Sequence, residues 1–131
     1  MEIMVRNSLS YATESCPLLL ETSCGEGTEV LTKIEELGTF FYRFSVEERK
    51  KLGVCIDTCH VFAAGYQPLS YLEHWEKYCK IPIILVHFND SKGICGSCLD
   101  RHVYPGYGNI GVRMIEIAKW CKSRNIQMVI E

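Results

Sequence analysis

Four short apolar runs punctuate the chain, and stretches with apolar residues at helical spacing lie between them. Residues 17–21 (PLLLE), 52–57 (LGVCID), 83–87 (IILVH) and 126–131 (IQMVIE) are short and nearly continuous in apolar character, the pattern of buried parallel strands. Val30, Leu31, Ile34, Leu37 and Phe41 mark a core-facing helix within residues 28–43. Leu72, Trp75 and Cys79 mark a second over 70–80, and Ile110, Met114, Ile117, Ala118 and Cys121 a third. Residues 1 to about 14 read as a helix leading into the first strand, and Ser45-Val-Glu-Glu48 has the form of a capping box. A long glycine-containing loop runs from Phe88 to Asn109. Strand and helix in alternation predict an α/β fold, a parallel sheet covered by helices. No repeat, low-complexity tract or linker divides it, so one domain is expected.

Composition narrows the function classes. With 131 residues, 47% hydrophobic and 23% charged, the chain supports one core; a complete parallel α/β barrel takes roughly 250 residues. A formal net charge of −2 excludes a global basic field, so any nucleic-acid contact must be local. The N-terminus lacks the basic and apolar regions of a secretory signal and no apolar run can cross a bilayer, which predicts an intracellular protein that is not secreted. The eight cysteines are accordingly expected to be reduced thiols.

The chemistry lies at the strand ends. The four predicted strands close on Glu21, Asp57, His87 and Glu131. They recur at intervals near the roughly 31 residues per βα unit of a full barrel. Parallel strands present their C-terminal ends to one face, so the four side chains should converge there. One polar residue at a strand end marks only the passage into solvent. Three carboxylates and an imidazole at one mouth would repel unless a cation neutralised them, and a divalent metal is the simplest such cation. A second set comprises His60, three residues beyond Asp57, with Asp100 and His102. Two nitrogens and one oxygen leave a position open, as catalytic zinc does. The fourth histidine, His74, stands beside Glu73 and is expected to be exposed.

Two longer segments are recognisable. Gly53-Val-Cys-Ile-Asp-Thr-Cys-His60, continuing through Phe62-Ala-Ala-Gly-Tyr66, resembles one signature of the endonuclease IV family of apurinic/apyrimidinic endonucleases. His87-Phe-Asn-Asp-Ser-Lys92, followed by Gly96-Ser-Cys-Leu-Asp-Arg-His102 and Gly106-Tyr-Gly-Asn-Ile-Gly111, resembles another, and Glu21-Thr-Ser-Cys-Gly-Glu-Gly27 is similar to the family's strand-end glutamate and its loop. The resemblance implies a (β/α)8 TIM barrel, of which residues 1–131 would form about four βα units, a single half-barrel domain with the N-terminal half absent. It implies a three-zinc site that hydrolyses the phosphodiester 5′ to abasic sites in double-stranded DNA, a base excision repair step leaving a 3′-hydroxyl. Glu21 would bridge two metals, Asp57, His87 and Glu131 would complete the second and act through a metal-bound hydroxide, and His60, Asp100 and His102 would hold the third. The first metal takes two histidines from earlier strands that this chain does not supply. Ligands for about two ions are therefore present, and the chain alone is expected to hold zinc but cleave poorly. Cys98 and Gln67 replace a basic and an acidic residue of the family pattern, which predicts weaker loop contacts to DNA.

Local DNA contacts are expected from Lys92, Arg101, Tyr104, Tyr107, Gly108 and Asn109. The backbone amides of residues 106–111 and the start of the helix at Ile110 should meet phosphates. Alternatively Arg101 orients nearby carboxylates and the tyrosines pack beneath the loop. Three rival functions stand beside the nuclease. A sugar isomerase or epimerase barrel would use the strand-end set around one divalent metal. A small zinc or redox module would use Cys95-Gly-Ser-Cys98. A noncatalytic remnant would bind DNA or metal only with its complement, either a missing N-terminal half or a second copy that hides exposed sheet edges.

Overall fold

In the computed structural model, which describes residues 1–131, four strands form one parallel sheet. They are β1 (Leu18–Glu21), β2 (Leu52–Asp57), β3 (Ile83–His87) and β6 (Gln127–Val129), in the order β1-β2-β3-β6. A two-residue antiparallel ribbon, β4 (Asp90–Ser91) with β5 (His102–Val103), stands within the long loop. The register aligns Glu21 with Cys55, Asp57 with His87, and His87 with Val129, so β2, β3 and β6 end level and β1 ends opposite a point two residues before the end of β2. β2 is central and buried throughout. Its Val54 and Ile56, with Val86 of β3, join a core of 24 buried residues beneath the helices. Side chains alternate across a strand, which puts Cys55, Asp57 and His87 on the opposite face.

The core is closed by α1 (Glu2–Ser8), α2 (Ile34–Phe41), α4 (Thr58–Ala63), α5 (Pro68–His74) and α6 (Met114–Ser123), which all bury apolar residues. The short α3 (Val46–Arg49) carries the expected capping box. Ser45 Oγ accepts from the Glu48 amide, and the Glu48 carboxylate accepts from the Ser45 amide. No helix is long and apolar enough to cross a membrane.

Five elements differ from the periodicity. Strand β6 covers only Gln127–Val129, is exposed rather than buried and stops two residues short of Glu131. Helix α6 starts at Met114 after a 3-10 turn over Gly111–Arg113, not at Ile110. Helix α2 begins at Ile34, leaving Val30 exposed and Leu31 left-handed at φ 61°. The cause lies upstream, where the Glu29 carboxylate accepts from the amides of Cys24, Gly25 and Glu26 and ties that segment into a loop. Helix α1 ends at Ser8; a 3-10 turn over Leu9–Tyr11 follows, and Ala12 is already extended. Helix α5 widens into a π-helical turn over Trp75–Cys79, stopped by left-handed Lys80 and pinned by Trp75 Nε1 donating to the Ile81 carbonyl.

All eight cysteines are free; Cys24, Cys55, Cys59, Cys79 and Cys121 are buried, and Cys16, Cys95 and Cys98 exposed. Burial pushes the Cys24, Cys59 and Cys121 thiols up to about 11 and Cys55 to about 12. Because the thiolate is the nucleophile, iodoacetamide at neutral pH should label Cys16, Cys95 and Cys98 in the native chain. All eight should be labelled after denaturation. Peptide mass mapping reads the outcome; native labelling of Cys55 as fast as Cys16 would contradict this packing.

Candidate metal centre

The register of the sheet delivers the strand-end set to one point. His87 Nδ1 lies 2.9 Å from Glu21 Oε1, 3.1 Å from Glu131 Oε2 and 3.7 Å from Asp57 Oδ2. One donor atom from each of the four residues lies within 4.8 Å of all the others. Two strands and the segment after β6 thus aim carboxylates at one imidazole, which can donate from that nitrogen to only one of them well.

The second set forms beside it, because Asp57 starts helix α4. Its Oδ1 accepts from the His60 amide at 2.9 Å, which places His60 on the first turn. His60 Nε2 is 3.2 Å from Asp100 Oδ2, and His102 Nε2 is 3.1 Å from Asp100 Oδ1. His102 Nε2 also lies 3.7 Å from Asp57 Oδ2, so Asp57 touches both sets. His102 sits on β5, and Asp100 precedes it with its amide donating to Glu26 Oε2 at 3.0 Å. Exposed His74 lies in neither set.

Hydrogen bonding prepares the second set for a cation. His60 Nδ1 lies 2.8 Å from the Thr22 carbonyl, which can only accept, so the proton of a neutral ring belongs on Nδ1. The Nε2 lone pair then faces the Asp100 carboxylate and, at 3.4 Å, His102 Nε2. A lone pair facing a carboxylate is satisfied by a positive charge between them. A carbonyl that fixes the far nitrogen of a ligating histidine is the usual orienting arrangement. Burial alone would lower the His60 imidazole, but Asp57, the Thr22 carbonyl, Asp100 and Glu21 outweigh it and raise it, the response expected of a site that demands a cation. The donor chemistry, imidazole nitrogen with carboxylate oxygen, fits zinc.

Comparison with known proteins identifies the architecture. The family model of the xylose isomerase-like TIM barrel matches residues 5–129. The chain belongs to this family. A protein of Acanthamoeba polyphaga mimivirus whose name places it with endonuclease 4 is 33% identical over 135 residues, which cover 97% of this chain and 43% of that protein. An apurinic-apyrimidinic endonuclease of Caenorhabditis elegans is 39% identical over 112 residues, 80% of this chain and 28% of its own. The crystal structure of endonuclease IV from Thermus thermophilus superposes with a TM-score of 0.79 at 30% identity, covering 94% of this chain and 45% of that one. The resemblance read from the two signatures therefore holds, and the four-stranded parallel sheet is part of a barrel. The chain spans less than half the length of these relatives.

Two polar residues that periodicity does not single out build the floor of this TIM-barrel site. Asn89 is fully buried; its Nδ2 donates to Asp57 Oδ2 at 2.7 Å, and its Oδ1 accepts from the Glu131 amide at 3.0 Å. Asn89 thus couples the ends of β2 and of the segment after β6. Thr22 accepts the Asp57 amide on its hydroxyl at 3.0 Å while its carbonyl orients His60.

The loop expected to meet phosphates is built differently from the sequence reading. The amides of Gly106, Gly108, Ile110 and Gly111 all donate to the buried carboxylate of Asp90, at 2.8–3.0 Å. The Asn109 amide donates to the Ser91 carbonyl, and its side-chain nitrogen to the carbonyls of Lys92 and Gly93. These donors serve the loop's own fold, because a buried carboxylate must be fully hydrogen-bonded. Lys92, Tyr104 and Tyr107 are exposed, so the tyrosines do not pack beneath the loop, and exposed Arg101 lies 3.7 Å from the Glu26 carboxylate. Cys95 and Cys98 belong to no group of metal-ligating side chains.

Gly108 packs against this anchor. A Cβ there would lie 2.4 Å from the Ser91 carbonyl oxygen and 2.5 Å from Asp90 Oδ1. At Gly53 the two nearest atoms a Cβ would meet belong to side chains, Ile84 Cγ1 at 2.5 Å and Leu19 Cδ2 at 3.0 Å, with the Pro82 carbonyl oxygen farther off at 3.4 Å. Gly108→Ala should therefore cost more than Gly53→Ala, about 3 kcal/mol against about 1. Urea midpoints measure both; the reverse order would contradict the packing.

Proposed function

We propose that the chain carries the metal-binding part of an endonuclease that incises DNA 5′ to abasic sites and leaves a 3′-hydroxyl. The observation that carries this reading is the meeting of two ligand sets, Glu21/Asp57/His87/Glu131 and His60/Asp100/His102, through one shared carboxylate. A one-metal sugar isomerase would need only the first set. The relatives named as endonucleases supply the substrate class.

Zinc is the proposed ion, and when bound it supplies a nucleophile at neutral pH and neutralises charge on the phosphate. The chain's residues do the positioning. Asp57 holds α4, and with it His60, at a fixed distance from the strand ends. Thr22 keeps His60 Nε2 free for a ligand, and Asn89 fixes the rotamer of Asp57. Exposed Lys92 and Arg101 offer charge to a phosphate backbone. Turnover is proposed to need the remaining strands of a barrel, in keeping with relatives more than twice as long as the matched region.

The test is incision of a duplex with one abasic site by the chain at high enzyme concentration. Weak cleavage abolished by a chelator and restored by zinc, with a product that a polymerase extends, is expected. Cleavage that survives chelation, or a product end that no polymerase extends, would overturn the reading.

A further inference from the structure

Tyr104 and Tyr107 are 75% and 88% exposed, an unusual position for two large aromatic rings beside a polar site. They are the first and fourth residues of a tight turn: the Tyr107 amide donates to the Tyr104 carbonyl at 3.0 Å. Pro105 occupies the second position and Gly106, at φ 89°, the third, the sequence and conformation of a type II turn. Such a turn keeps its end Cα atoms within about 7 Å, so the two rings leave the backbone as neighbours. The turn is also held from below, where Asp90 Oδ2 accepts from both Gly106 and Gly108 at 3.0 Å.

Both tyrosines line a cavity of about 660 Å³ with His102, Val103, Ile130 and Glu131. That volume is in the range of small-ligand sites, and His102 and Glu131 come from the two ligand sets. Lys92 and Arg101 are cross-strand neighbours just beyond β4 and β5, the Lys92 amide donating to the Arg101 carbonyl at 2.9 Å. Within one short stretch the surface thus offers the two candidate ligand sets, two adjacent cations and two exposed aromatic side chains on a turn whose backbone is held.

We propose that Tyr104 and Tyr107 form a stacking platform for an unpaired nucleobase next to the phosphate held at the ligand sets. This rests on the nucleic-acid reading above and adds what that reading lacks, a contact to a base. Every base has a π-face, so stacking of this kind tolerates any sequence, and a turn backbone already held before binding lowers the ordering cost.

Anisotropy titrations of the zinc-loaded chain with two labelled single strands of equal length test it. One strand carries thymines throughout and the other base-free tetrahydrofuran spacers at its centre. The wild-type chain should prefer the first by about tenfold. Tyr104→Ala/Tyr107→Ala should lose that preference by weakening only on the base-containing strand, while Tyr104→Phe/Tyr107→Phe keeps it. Equal weakening on both strands, unchanged binding by the alanine variant, loss of preference in the phenylalanine variant, or no wild-type preference would overturn the platform. Zinc content is measured on the same samples. A wild-type chain that holds no zinc fails the endonuclease reading, whereas alanine variants that keep zinc and keep the preference fail the platform alone.

Discussion

Asp57→Asn is expected to remove more bound zinc than any other single substitution, leaving less than one ion per chain. Both oxygens of this fully buried carboxylate are engaged: Oδ1 accepts from the His60 amide, and Oδ2 accepts from Asn89 Nδ2 while facing His87 and His102. An asparagine amide exchanges one acceptor for a donor. Whichever way it turns, an N–H meets another N–H, either at the helix cap or at Asn89. Each mismatch of this kind costs about 1–3 kcal/mol. The variant also lacks the charge that two ligand sets share. Metal analysis after dialysis against zinc and a urea midpoint separate the two effects. Zinc content equal to wild type in a folded Asp57→Asn chain would remove Asp57 from the centre.

Asp90→Asn is expected to be the most destabilising substitution outside the ligand sets, by about 3 kcal/mol or more. Oδ1 accepts from the amides of Ser91 and Ile110, and Oδ2 from those of Gly106, Gly108 and Gly111. No acceptor-only group of the same shape can replace a carboxylate that serves five donors. The amide variant points a donor at two or three of them in a fully buried position. The loss should be local before it is global. Amide hydrogen exchange at residues 106–111 should accelerate at denaturant concentrations where the sheet remains protected. An unchanged urea midpoint with unchanged exchange in that loop would contradict the role assigned to Asp90.

Legibility in the sequence follows the range of each interaction. The apolar runs at β2 and β3 end where the strands end, because strand formation in a buried parallel sheet depends on local apolar continuity and the next polar residue stops it. Glu21, Asp57 and His87 of the candidate centre are readable for a related reason: parallel strands bring their ends to one side of the sheet, so residue type and spacing suffice. Over residues 28–43 periodicity makes the helix too long, because it counts Val30 and Leu31 without registering that the Glu29 carboxylate captures three amides upstream. The Asp90 anchor is invisible for the same cause on a larger scale. Four of its five partners are backbone amides 16 to 21 residues away, and a backbone amide carries no side-chain signal. One cue does exist, since Asn89-Asp90-Ser91 follows the third strand without the glycine or proline of a solvent turn, and all three are buried. A polar triplet that remains inside must be spending its hydrogen bonds on the fold.

The central claim is that two sets of side chains meeting at Asp57 each hold a metal ion. Zinc stoichiometry by equilibrium dialysis and elemental analysis tests it most directly, on the wild-type chain and on His87→Ala and His60→Ala, with circular dichroism to confirm that each is folded. Two ions per wild-type chain, with one lost on each histidine substitution, is the predicted result. A folded wild-type chain that binds no zinc, or histidine variants that bind as much as wild type, would contradict it.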